Sequence, residues 1–275
     1  MTSTYSLTVP AVAKAVLAGQ RRERQQKDEL CGAFWAAVTV TALTGCAVTQ
    51  DDAGVAAGTL LTAGGGRLDD LPPGAVSRTD YLREIATTAD TRLAGTSPRG
   101  LARAVEALSQ DTLTAVPLRG PWQEKSVQAL ADFVLDGRDA VAVLNVATRY
   151  LWHSHLSLLD VTAYLDGGDD SYPDSEWQVG HFVALVGALT ADAAGGRRLL
   201  LCADTYPSLG AAGLHPQPAG RLAAGLNRDG AATSGGVIVV VPTPHAASVQ
   251  AWAAETGVAV GHWDNGVPDT DGGDY

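Results

Sequence analysis

Two apolar runs, residues 178–189 and 197–203, constrain this chain more than any other feature. A short turn around Gly195 and Gly196 separates them, so they are expected to pair as an antiparallel hairpin. Residues 139–146, with their Val-Ala-Val-Leu-Asn-Val alternation, and residues 236–241 read as further strands. Ahead of them the signals are mostly helical. Residues 10–27 form a helix after Pro10, and residues 31–44 suit a helix or a strand, because Val38-Thr39-Val40-Thr41 alternates. Asp51 and Asp52 would cap a small-residue helix to about Ala63, ended by the loop Gly64-Gly65-Gly66. A polar loop over 67–78 leads to a helix near 79–89. Ser97-Pro98 opens a helix through Leu108, and two more are expected at 123–136 and 244–256. Helices first and strands second favour an α+β fold over an alternating one.

The expected organisation is one catalytic domain over 1–262, helical over about 10–136 and sheet over about 137–257. The acidic, glycine-containing stretch 263–275 reads as a disordered tail. A net charge of −11 argues against nucleic acid as a partner, since phosphate binding needs a basic surface. No apolar run reaches the ~18–20 residues of a membrane helix. Residues 1–9 carry no basic residue and Lys14 breaks the next apolar stretch, so no signal peptide is expected, and the chain reads as cytoplasmic. The basic cluster Arg21, Arg22, Arg24 and Lys27 is either a solvated helix face or a local electropositive field. Cys31, Cys46 and Cys202 are odd in number and too few for a disulfide framework, which suits a reducing compartment. No CxxC or HxxxH spacing offers a metal site.

The strongest chemical signal is Cys31-Gly32-Ala33-Phe34-Trp35 with Gln25 upstream. A nucleophilic cysteine acts as the thiolate, and the first turn of a helix favours negative charge. Gly32 would let substrate approach and Trp35 would root the helix in the core. The Cys31 amide and a side-chain amide upstream would hold an oxyanion; Gln25 could serve, and Gln26 is adjacent. The alternative is an ordinary buried cysteine.

His181 shares a strand face with Val183 and Leu185, either as a satisfied core residue or as a thiol-activating base, with Gly180 leaving room beside it. Asp204 closes the run Leu199-Leu200-Leu201-Cys202-Ala203. It is either a turn former in Asp204-Thr205-Tyr206-Pro207 or the carboxylate that orients His181 from a paired strand. His153 and His155 lack a ligand partner and read as exposed, Cys46 reads as packing, and Cys202 could line the face of Asp204. No Gly-x-Ser-x-Gly elbow is present.

Cys31-Gly32-Ala33-x-Trp35 resembles the papain-type signature at four positions, with Gln25 six residues ahead as in that family. Phe34 stands where secreted members carry a disulfide-bonded cysteine. The second half is similar to the bacterial double-glycine leader peptidases. Gly180-His181-Phe182-Val183-Ala184-Leu185-Val186-Gly187 is followed by a hairpin and a strand ending in Asp204. Those peptidases usually carry Asp-Pro, where this chain has Asp204-Thr205-Tyr206-Pro207, and most are fused to a transporter. Their specificity for double glycine is therefore not carried over. The resemblance implies a papain-like fold with Cys31 at a helix start, His181 and Asp204 on an antiparallel sheet, and Gln25 as oxyanion donor. The implied activity is a cysteine peptidase acting on a peptide or protein through a thioester, with no cofactor. Two alternatives stand beside it: a catalytically silent scaffold that binds a peptide, and an acyltransferase or ligase with the same thioester chemistry. The oligomeric state is not legible.

Overall fold

The computed structural model describes residues 4–65, 70–192, 196–228 and 234–270. The hairpin pair is present as β6 (Gly180–Ala191) and β7 (Arg198–Ala203), antiparallel, with Gly195 of its turn outside the described residues. The other edge of β6 is shared. β5 (Val141–Ala147) pairs with its first half, and β1 (Tyr5–Thr8) pairs with residues 188–191. Beyond β5 the sheet continues through β9 (Gly236–Pro242), β4 (Leu113–Arg119) and β10 (Ala259–Val260); β8 (Leu214–Gln217) closes the far side against β7. Every one of these pairs is antiparallel, and the fold is α+β.

The central strands read as nearly continuous apolar runs because both faces of the sheet are covered. Val141, Val143, Phe182, Ala184 and Ile238 face one core, with α1 (Ala11–Glu23), α2 (Cys31–Thr44), α3 (Gln50–Ala57) and α4 (Pro98–Leu108). Ala142, Leu144, Val183, Leu185 and Val237 face the other, with α5 (Glu124–Leu135), α7 (Ala219–Asn227) and α8 (Ala246–Thr256). α6 (Leu158–Leu165) covers a small cluster around Trp152 and Leu199. Residues 31–44 resolve as helix α2, whose residues 32–40 are all buried, so it runs through the interior and not along a surface. Phe34 and Trp35 each contribute about 1.5–3 kcal/mol by burial. The Trp35 Nε1–H donates to the Phe182 carbonyl at 2.8 Å, which ties α2 to β6. Gly45 ends the helix in a left-handed conformation and donates to the Thr41 carbonyl.

Several expectations need correction. α1 stops at Glu23, because Arg24 turns the chain at φ +65°. α3 stops at Ala57, where Gly58 takes a left-handed cap, well before Ala63 and the glycine run. Its N-cap is Thr49, with Asp51 and Asp52 in the first turn. The helix expected at 79–89 is absent. That segment runs mostly exposed as loop, with Leu82 N–H donating to Asp51 Oδ1, and ends in β3 (Thr87–Thr88), parallel to β2 (Leu61–Thr62). The division into helical and sheet halves also fails, since β4 enters the sheet from the first half and α7 and α8 cover it from the second. Residues 263–270 of the expected tail are packed: Trp263 is buried, Arg103 pairs with Asp269, and Thr270 Oγ1 donates to the Gly58 carbonyl. A Cβ on Gly58 would lie 2.2 Å from that hydroxyl, so glycine is needed there. Residues 271–275 lie outside the described residues. Among the described residues no helix is long and apolar enough to cross a membrane.

Candidate active site

The segment before Cys31 is fixed by contacts from α3, from the 77–80 loop and from β2. Lys27, expected on a basic face, is buried instead; its ammonium pairs with Asp51 at 2.5 Å and donates to the Asp80 carbonyl. Its amide donates to Gln50 Oε1 at 2.6 Å. Asp28 accepts from Ser77 Oγ and the Arg78 amide, and Glu29 accepts from the Thr62 amide and hydroxyl. Burial pushes the Glu29 carboxyl pKa up despite the two Thr62 bonds. Glu29 sits at φ +65°, a conformation that L residues adopt only when the surroundings hold them there. The chain thus enters α2 at Cys31, with no side-chain cap on Leu30 and no acidic residue in the first turn. The first-turn amides have no partner within the helix, and the positive end of the helix dipole lies at Cys31.

Cys31 opens onto a cavity of about 290 Å³, whose wall also includes Gln26, Asn145, Trp177, His181 and Arg228. His181 heads β6 and is 2% exposed. Its Nε2 lies 3.1 Å from Asp204 Oδ1 and 3.3 Å from Thr205 Oγ1. With Nε2 engaged, Nδ1 is the nitrogen left to face Cys31, which lines the same cavity wall and lies near enough to raise the imidazole pKa. The Trp177 ring packs edge-on at 4.8 Å and shields the imidazole.

Burial opposes a charged imidazole at His181, but the Asp204 carboxylate outweighs it through charge and hydrogen bond, and Cys31 adds to this, so the pKa is raised to about 10. At Asp204, burial pulls the pKa upward; His181 and His215 overcome it and hold the carboxyl well below the usual range. Asp204 also accepts from the Tyr206 amide at 3.0 Å, and its Oδ2 lies 3.5 Å from His215 Nε2. Gln217 Oε1 accepts from the Trp152 amide, so its Nε2 faces His215 Nδ1 at 3.1 Å. His215 therefore accepts at Nδ1 and carries its proton on Nε2, toward Asp204.

The structure brings together Cys31, His181 and Asp204. It does not bring Gln25 with them. The Gln25 side-chain amide donates to the Val76 carbonyl, away from the cavity, whereas Gln26 is buried and lines it. The physical reason is a backbone hook: the Gln26 amide donates to the Thr205 carbonyl at 3.1 Å, and Thr205 Oγ1 donates to Gln26 Oε1. The Gln26 oxygen is thereby held, leaving Nε2 with one long contact, 3.4 Å to the Lys27 carbonyl.

The two glycines serve the protein's own side chains. A Cβ on Gly32 would lie 2.7 Å from Thr96 Cβ, and one on Gly180 would lie 3.2 Å from Arg228 Nη2. Cys46 is exposed and not packed, and Cys202 is buried, where burial pushes its thiol pKa up. His153 pairs with Glu176 at 3.2 Å, and among the described residues no cluster could hold a metal ion. Thr205, His215, Asn145 and Arg228 were not singled out from sequence. His215 and Gln217 alternate on β8, but Pro216 between them disguises this edge strand.

A family model of unknown function, DUF6885, matches residues 10–264. The chain belongs to the DUF6885 family. Gln26, Cys31, His181, Asp204 and His215 all fall within the DUF6885 span. No curated protein matches the chain.

Proposed function

We propose that this chain is a papain-like cysteine hydrolase that cleaves an amide bond of a peptide or protein. The observation that carries the reading is that Cys31, at an uncapped helix start, shares a cavity wall with a buried imidazole held by Asp204 at 3.1 Å. The nucleophile on a helix packed against an antiparallel sheet, with histidine and carboxylate on neighbouring strands, supports the papain-like assignment. All three cysteines are free, which fits a cytoplasmic setting.

In this reading His181 takes the Cys31 proton as the sulfur attacks. The Cys31 sulfur attacks the scissile carbonyl carbon, and the C–S bond forms as the carbonyl oxygen takes the negative charge. That oxyanion is received by the Cys31 amide and Gln26 Nε2. His181 Nδ1 protonates the amide nitrogen, the C–N bond breaks, and the amine leaves a thioester on Cys31. A water then attacks the thioester, giving its proton to His181, and the C–S bond breaks to release a carboxylic acid. Asp204 keeps the imidazole oriented throughout.

The test uses the exposed Cys46 as an internal reference. Iodoacetamide labelling, mapped by mass spectrometry at pH 6, should modify half-buried Cys31 faster than Cys46, and His181→Ala should remove the advantage. Slower labelling of Cys31 than Cys46 overturns the reading. An ester such as p-nitrophenyl acetate should then leave an acyl group on Cys31 that turns over; fast alkylation without turnover would identify a silent scaffold.

A further inference from the structure

The cavity that holds Cys31 also holds a cation that the mechanism leaves unused. Arg228 is 6% exposed, lines the cavity, and makes no ion pair among the described residues. Its Nη2 donates to Asn145 Oδ1 at 2.7 Å, and its Nε, fully buried, has no hydrogen-bond partner among the described residues. A guanidinium presents five donors in a fork that matches a carboxylate, so this one is under-satisfied. Burial lowers the pKa of Arg228; Asp264, the carboxylate whose charge acts on it, is itself exposed and accepts from the Gly266 amide.

The surroundings are shaped to keep the guanidinium in place. Arg228 caps α7 at φ +52°, a left-handed position where glycine or asparagine is the usual choice. Gly180 leaves space for its Nη2. Asn145, which accepts from it, also accepts from Trp263 Nε1 at 3.2 Å and donates to the His181 carbonyl at 3.3 Å. Arg228 is therefore held in register with the strand that carries His181. Of the three acidic residues on the same wall, Asp28 and Glu29 have their carboxylates engaged by Ser77, Arg78 and Thr62, and Asp70 has an interaction of its own. A buried cation with spare donors, facing an open cavity, is costly unless an anion completes it.

We propose that Arg228 is a substrate-specificity residue, and that the substrate carries a carboxylate seated on its guanidinium while the scissile carbonyl lies at Cys31. The carboxylate is either the free C-terminus of a peptide or an acidic side chain next to the cleaved bond. This deepens the cysteine hydrolase reading and rests on it for the word substrate; the anion site itself is tested apart from catalysis.

The probes are iodoacetate and iodoacetamide, alike in size and differing in charge. In the wild type the ratio of iodoacetate to iodoacetamide rates should be higher at Cys31 than at Cys46. Arg228→Gln should lower the Cys31 ratio by about 10-fold, the scale of one charge-assisted hydrogen bond. Because the protonated His181 also attracts an anion, the comparison between wild type and variant is the decisive one. Arg228→Lys, checked with Arg228→Gln by circular dichroism, keeps the charge without the fork and should fall between. If Arg228→Gln does not fold, the same question is put to the wild type by protection of Cys31 against iodoacetamide. N-acetylglycine offers an α-carboxylate, N-acetylaspartate α-amide a side-chain carboxylate, and N-acetylglycinamide neither. Saturable protection by either acid but not by the neutral amide supports the proposal and tells the two sources apart. An unchanged ratio in a folded Arg228→Gln protein, or equal protection by the neutral amide, overturns it. Slow iodoacetamide labelling of Cys31 would instead count against the hydrolase reading, leaving the ratio and the protection to decide on Arg228.

Discussion

Gln26 and Thr205, 179 residues apart in the chain, are joined by two hydrogen bonds, the Gln26 amide to the Thr205 carbonyl and the Thr205 hydroxyl to the Gln26 side-chain oxygen. The first bond fixes which glutamine enters the cavity and the second fixes which end of its amide is free. Thr205 also approaches His181 Nε2 at 3.3 Å, so the same hydroxyl touches both the proposed oxyanion donor and the proposed base.

Gln26→Ala is therefore expected to lower turnover of the ester substrate by ~10²–10³, the usual loss for one oxyanion donor. Gln25→Ala, whose side chain bonds the Val76 carbonyl outside the cavity, should change it by less than about 3-fold, within the surface-substitution range. Steady-state kinetics on both variants reads this directly. A larger loss in Gln25→Ala would return the donor role to that residue.

The raised pKa of His181, about 10, should set the alkaline side of the proposed activity. Its folded value lies above the ordinary ~6.5, so its contribution to stability is complete below ~6.5 and is lost as pH rises through about 10. Asp204 is lowered, so its contribution is present above ~3.9 and is lost as pH falls through its depressed value. The pair titrates as a unit, and its hold on the imidazole should persist between these limits. Asp204→Asn should cut turnover by roughly 10–10³, less than the ~10⁴ seen when a serine enzyme loses its aspartate. It should also move the alkaline limb down toward ~6.5, because the main charge that raises His181 is gone. An alkaline limb that stays near 10 in Asp204→Asn would mean that another group holds the imidazole.

His215 acts on the site only through Asp204, by its Nε2 at 3.5 Å. His215→Ala should lower kcat by about 10-fold with little change in KM, the scale of one hydrogen bond to a charged group. The pH below which the His181–Asp204 pair is lost should rise, since Asp204 loses one of the partners that depress it. His215→Gln supplies an amide donor and should recover part of both effects. A His215→Ala profile identical to wild type would reduce His215 to packing on β8.

The Lys27–Asp51 pair is a stability element beneath the candidate site, with both side chains at most 4% exposed. Asp51→Asn leaves the Lys27 ammonium without its carboxylate and should destabilise the fold by about 3–5 kcal/mol. Lys27→Met with Asp51→Leu together should recover much of this, since neither charge is then stranded. Urea unfolding of the three proteins checks it, and a loss under about 1 kcal/mol for Asp51→Asn would show that water reaches the pair.

Local pattern was enough for some of this protein. The strands at 141–147, 180–191, 198–203 and 236–242 follow from apolar runs, and α4 from Ser97-Pro98, because strand period and helix caps are written in neighbouring residues. The same holds for naming Cys31, His181 and Asp204 as candidates, since each stands at the edge of a readable element. Other features depended on contacts that no window of sequence contains. Gln25 and Gln26 are equivalent until Thr205 binds one of them, and the helix expected at 79–89 gives way because its backbone bonds to Asp51. Residues 263–270 looked unstructured by composition, yet Arg103 and Gly58 hold their end in place. Arg228 is an unremarkable arginine in sequence and becomes a buried, under-partnered cation only when α7, β5 and β6 meet. The physical reason is common to all of these: hydrogen bonds and burial depend on where distant segments meet, whereas periodicity and capping depend on the nearest few residues.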